Sequence, residues 1–239
     1  VTVPGFTTSS IRTERKTSTF DHRVIARRLT CGRLASYLAV TDGDVHAAIA
    51  LYDWNTEVAA ALYEDLARLE ILFRNTVDEA LVEHGQVRGW SQAWYRRREL
   101  FPGRHGNRAW TVIESARKRA ARRGGPEDHG RVVAELVFGF WRYLCAPRYL
   151  TALWIPSLAA AFPDHPNSAA PQRVRADVDQ RMRRFHFLRN RIAHHEPIHH
   201  SDLDADHRDL LDLVGWLCAD SRAWVAVNSR TPAVLGKRP

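Results

Sequence analysis

Apolar residues recur every three or four positions through most of this chain, and they nowhere alternate for long enough to build a sheet. After Asn55, a polar residue suited to cap a helix start, Leu62, Leu66, Leu69, Phe73, Val77 and Leu81 fall on one helical face. A second run, VVAELVFGFWRYLCAP, carries Leu136, Phe140 and Leu144 at four-residue spacing and is stopped by Pro147, which has no amide hydrogen to continue a helix. A third helix is expected from Pro171, a good first-turn residue, with a stripe of Val174, Val178, Met182, Phe185, Leu188 and Ile192. A fourth, from about Asp202, carries Leu203, Leu210, Val214, Leu217 and Trp224. The expected class is all-α. Residues 1–20 and 229–239 read as flexible tails around one domain over 21–228, and a Gly/Arg-rich stretch within 85–130 reads as a loop-rich insertion.

The chain has the apolar content for a sizeable core, 45 % hydrophobic residues with eight tryptophans, but no run long enough to cross a membrane. Its first residues lack the apolar core of a signal peptide, and Cys31, Cys145 and Cys218 are too scattered for a disulfide framework. A cytoplasmic protein is expected. The net charge of +8 comes mostly from arginine, whose guanidinium fork suits phosphate and therefore anionic partners. Arginines cluster at 96–98, at 117–123, and between Arg173 and Arg184. Most tryptophans are expected in the core. Trp94 and Trp110, which flank arginine clusters, are the best candidates for stacking on bases.

The third helix runs into RNRIAHHEPIHH, residues 189–200, which supports two chemistries. From His195, HEPIH fits the zinc spacing H-E-x-x-H, which needs both histidines on one face of an unbroken helix. Pro197 lies between His195 and His199 and pushes Glu196 out of the helical region, so the helix should end near His195. That disfavours a zinc hydrolase, although His194, His195, His199 and His200 leave adventitious metal binding open. From Arg189, an arginine, an asparagine and a histidine follow at a spacing that asks for helix only as far as His194. At roughly 100° per residue, Asn190 and His194 lie at about 160° and 200° from Val174, opposite the apolar stripe, with Arg183 at about 180° and Phe187 at about 220°. Arg189, near 60°, must reach around to join them, and an ion pair with a carboxylate such as Glu70 would occupy it equally well. Such a set can cleave RNA without metal. Histidine moves the 2′-hydroxyl proton or protonates the leaving 5′-oxygen, arginine stabilises charge on phosphorus, and asparagine positions its neighbours. One chain supplies one motif histidine, so a two-fold dimer would supply both acid and base.

LRNRIAHHEPI resembles the signature of the Abi-like (abortive infection) proteins of bacteria, members of the HEPN superfamily of all-helical ribonucleases. The likeness also takes in CGRLASYLA at 31–39, DWN at 53–55, VVAELVFGFWRYL at 132–144 and YLTALWIPSLAAAFP at 149–163, covering about residues 25–225. The resemblance implies a HEPN-type helical bundle, dimerised so that two Arg–Asn–His faces meet and cut single-stranded RNA, leaving a 2′,3′-cyclic phosphate. It carries Arg189, Asn190 and His194 over as catalytic and asks for no cofactor. It also implies anti-phage defence, restraint by an antitoxin, and control by a bound regulatory RNA. The chain departs from the family in having His199 and His200 after the proline, where an aromatic residue is more usual.

His195 is a candidate supporting residue. So are Glu70, Arg74 and Asn75: Glu70 and Arg74 are four apart, as in an intrahelical ion pair, and Glu70 could also orient Arg189. Arg183, Arg184 and Arg191 are the expected RNA contacts. Two other classes stay open: an RNA-binding module of the same fold without catalysis, and the zinc hydrolase.

Overall fold

The computed structural model describes residues 20–101, 103–122 and 124–239, and every regular element among them is helical. In chain order these are α1 (His22–Leu29), α2 (Cys31–Val40), α3 (Val45–Val87), α4 (Gly103–Ala121), α5 (His129–Ala134), α6 (Phe138–Leu144), α7 (Pro171–Ala193), α8 (Leu203–Leu217), α9 (Ala219–Asn228) and α10 (Thr231–Leu235). Short 3-10 turns and one wide π turn, Leu150–Trp154, join them. No described helix is long and apolar enough to cross a membrane. The chain divides into two compact units, one ending at Tyr52 and the other running Asp53–Pro239.

In the first unit Asp21 caps α1 by accepting the Arg23 amide at 2.8 Å, and Leu34 and Tyr37 of α2 are buried. Tyr37 packs edge-on against Tyr52 with ring centroids 5.4 Å apart. Burial, then the neighbouring phenol of Tyr52, pushes its hydroxyl up to about 12. Residues 1–19, most of the expected N-terminal tail, lie outside the described residues.

The second unit holds the core that the spacing predicts. Leu62, Leu66, Leu69, Phe73, Val77 and Leu81 of α3 are all buried, as is the whole α7 stripe from Val174 to Ile192. α7 packs against α6, α8 and the π turn, and so becomes the central strut. Five expectations need correction. Asn55 does not start a helix: α3 begins at Val45, where Asp44 accepts the amides of His46 (2.8 Å) and Ala47 (3.2 Å). The 85–130 stretch is not mainly loop. It contains α4, whose buried stripe of Ala109, Ile113, Ala116 and Ala120 is built from small residues that give little hydrophobic signal among arginines.

The run VVAELVFGFWRYL is two helices. Arg119 of α4 holds Glu135 through its carboxylate (2.8 Å) and its carbonyl (2.6 Å), and the backbone turns extended at Val137 before α6 begins. The last segment is likewise divided: Cys218 is extended, α9 starts anew, and Trp224 is 52 % exposed rather than part of the core. Nor is 229–239 a loose tail. Thr231 and Val234 of α10 are buried, the Trp54 indole donates to the Val234 carbonyl at 2.9 Å, and Thr231 donates to the buried Asp65 at 2.7 Å.

Five histidines in this unit, His84, His165, His186, His199 and His207, are pushed below the usual imidazole range, in each case chiefly by burial. The unfolded chain takes up protons on these rings near pH 6.5, while the folded chain resists until the pH is lower. Over that window the unfolded state binds more protons, so stability falls as pH falls. The melting temperature is expected to drop steadily between about pH 7 and pH 5, and a flat thermal profile there would count against this protonation linkage.

Candidate active site

The end of α7 decides what RNRIAHHEPIHH can do. His194 donates its amide to the Asn190 carbonyl at 3.0 Å, the last ordinary helical bond. Then His195 turns into the left-handed region (φ 55°), its amide bonds to Ile192 at 3.0 Å, and the Glu196 amide reaches back to Arg191 at 2.8 Å. This pair of reversed bonds is a Schellman cap with histidine where glycine is usual. Beyond Pro197, the Asn55 side-chain oxygen accepts the amides of Ile198 (2.8 Å) and His199 (3.0 Å), and His199 is buried. Asn55 thus fixes the loop that leaves the motif. The zinc spacing is dissolved: His195 is off the helix and exposed, and His199 points into the protein. Among the described residues no three His, Cys, Asp or Glu side chains gather as a metal-binding group.

Arg189 and Asn190 come together in a cleft of about 240 Å³, whose walls are Val137, Phe138 and Gly139 of the α6 start and His186 of α7. His186 is the residue that sequence spacing missed. Its ring stacks on Phe138 (5.9 Å between centroids, 5° between planes), and the Asn190 amide nitrogen is 3.4 Å from its Nε2. Gly139 faces the same nitrogen: a Cβ there would sit 3.3 Å from Nε2, so the absent side chain keeps the ring accessible. Burial, then the cations of Arg142 and Arg189, lowers the His186 imidazole below its usual range, so it is neutral at neutral pH. On the helical wheel it falls near 120°, between Arg189 and Asn190, a signal the sequence did hold.

Glu70 accepts the Phe138 amide and so ties α3 to the start of α6. Burial raises its carboxyl above the usual range, opposed by the nearby Arg189 and then Arg74. Arg189 keeps its Nε buried with no hydrogen-bond partner. Arg74 instead donates to Asn75 at 3.4 Å, away from the cleft lining. His194 follows Asn190 by one turn on the same ridge, exposed and outside the cleft lining.

The arginines expected to hold RNA have partners inside the fold. Arg183 forks onto Asp179 (3.0 and 2.6 Å), and Arg184 binds the buried Asp206 of α8 through both nitrogens. Arg191 donates to the Pro197 carbonyl at 2.5 Å, closing the loop after the cap. The guanidiniums that face the cleft region are Arg189 and, next to it, Arg142, Arg148 and Arg108. Trp94, one of the two candidate base platforms, is fully buried with its indole donating to Asp78 at 2.6 Å, and Arg98 covers the Trp110 ring at 5.1 Å. Comparison of the chain with protein-family models, with curated proteins and with solved structures finds no match.

Proposed function

We propose that this protein is an RNA endonuclease that cuts single strands by transesterification, without metal, at a site shared by two copies of the chain. The observation that carries the reading is the grouping of Arg189, Asn190 and a neutral His186 in one cleft, with His194 on the same ridge one turn away. A neutral imidazole takes the proton of a ribose 2′-hydroxyl. The freed oxygen attacks phosphorus, the bond to the 5′-oxygen breaks, and an imidazolium returns a proton to that leaving oxygen. The products are a 2′,3′-cyclic phosphate and a 5′-hydroxyl. Arg189 supplies positive charge to the phosphorane oxygens, and Asn190 orients His186.

A two-fold partner supplies the second proton carrier, since His194 of each chain stands outside its own cleft and is exposed. Phe187, 62 % exposed and next to His194 on the wheel, gives that face an apolar rim for a second copy. The strained His195 supports the same view: a non-glycine residue in the left-handed region costs about 1–2 kcal/mol, and such strain gathers at functional sites. The likeness of the motif to Abi-like proteins supports a place in anti-phage defence, with an antitoxin or a bound RNA as restraint. The exposure of His194 outside the cleft also favours a second reading, an RNA-binding module without catalysis.

The deciding experiment incubates purified protein with mixed cellular RNA in excess EDTA, beside its His194→Ala variant, and identifies the fragment ends. The expected result is cleavage by the native chain alone, leaving cyclic phosphate. No cleavage by either protein, with RNA retained by both, would replace the nuclease with the binding module.

A further inference from the structure

Beside the Arg189–Asn190 cleft lies a second one, of about 420 Å³, and the two share Val137, Gly139 and His186. They are therefore neighbouring parts of one continuous surface. Arg108 of α4, Arg142 of α6 and Arg148 just beyond α6 converge on the second cleft, and no described Asp or Glu lines it. Three guanidiniums facing one space without a carboxylate repel one another unless an anion sits between them. The Arg142 Nε, like that of Arg189 in the first cleft, is buried and makes no hydrogen bond. A buried, unsatisfied donor on a charged group is costly and is rarely left so without a purpose. Val112, one turn along α4 from Arg108, adds an apolar patch to the lining, and Arg148 lies over the Tyr143 ring at 4.8 Å, a flat surface of the kind on which bases stack. A volume of this size falls within the range of small-molecule sites and accommodates one nucleotide.

We infer that this second cleft is a nucleotide subsite of the same enzyme, seating the ribonucleotide next to the scissile bond. Arg142 and Arg108 hold its phosphate, and the Arg148–Tyr143 surface receives its base. Gly139 keeps the passage between the two clefts open, because any side chain there would enter it beside His186. This assignment rests on the RNA-cleaving reading of the first cleft and extends it to how the strand is held.

The test uses a short single-stranded RNA, 2′-O-methylated throughout so that it cannot be cut, and measures its binding by fluorescence anisotropy across a salt series. Arg142→Gln is expected to weaken binding about tenfold to a hundredfold, the loss of a charge-assisted contact. It should also reduce the slope of log affinity against log salt by about 0.7, one phosphate contact on a single strand. Arg108, an exposed side chain whose loss leaves the core untouched, should give the same direction in Arg108→Gln, so misfolding of one variant does not obscure the result. Native affinity and native salt slope in both variants would overturn the subsite. Cleavage of unmodified RNA by Arg142→Gln with an unchanged KM would overturn it while sparing the nuclease. Arginine-dependent binding by a native protein that cuts nothing would keep the subsite and remove the nuclease.

Discussion

His186→Ala is expected to slow RNA cleavage at neutral pH by about 10²–10⁴-fold, the usual contribution of a positioned acid or base, while the melting temperature moves little. The residue is half-buried, stacked on Phe138 and touching Asn190, so its loss removes a proton acceptor without opening the main core. Its environment makes a second, sharper claim. The charged groups facing the ring are Arg142 from α6 and Arg189 from α7, and both disfavour the imidazolium, as burial does. A base held neutral in this way stays competent to lower pH than an ordinary histidine, so the acid limb of kcat/KM should lie below 6.5. Arg142→Gln removes one cation, raises the imidazole back toward its ordinary value, and should move that limb to higher pH. A rate profile from about pH 5 to 8 reads both effects. An unchanged rate and profile in His186→Ala would show that the chemistry belongs to the His194 residues alone.

That prediction rests on a residue which the pattern of the sequence contained and did not announce. The α7 stripe, the proline that ends the helix near His195 and the loss of the zinc geometry were all legible, because each follows from local rules: a 3.6-residue repeat, a missing amide hydrogen, a restricted neighbour. His186 was not, because its meaning comes from Phe138 and Gly139, residues of another helix almost 50 positions earlier. Asn55 misled for the same reason. Its composition suits a helix start, yet its amide oxygen serves two backbone groups 143 and 144 residues away, at Ile198 and His199. Arginines were the other difficulty: a run of them predicts phosphate contact, but whether a given guanidinium is free depends on carboxylates such as Asp206, which only the folded chain brings to Arg184. α10 is five residues long, too short for any periodic signal to register.

The largest effect on stability is expected at Asp65, a wholly buried carboxylate of α3 that no motif or spacing singles out. It accepts hydrogen bonds from Ser229 (2.6 Å) and Thr231 (2.7 Å) and pairs with Arg68 (2.8 Å), while His207 approaches to 3.7 Å. Asp65→Ala leaves two hydroxyls and a guanidinium without their acceptor, a loss of about 3–5 kcal/mol for a broken buried pair. At about 2–4 °C per kcal/mol for a chain of this size, the melting temperature should fall by about 6–20 °C. Asp65→Asn, which keeps the shape and one acceptor oxygen, should lose distinctly less. The loss also reaches the site through a short physical path. Thr231 and Ser229 anchor α10, α10 offers the Val234 carbonyl to Trp54, and the next residue, Asn55, fixes the loop after Pro197. Hydrogen exchange at the Ile198 and His199 amides should therefore quicken in Asp65→Ala before global unfolding begins. If those amides exchange at the native rate while α10 is released, the loop holds its shape without α10, and the end of the motif helix is fixed by Asn55 and its own cap alone.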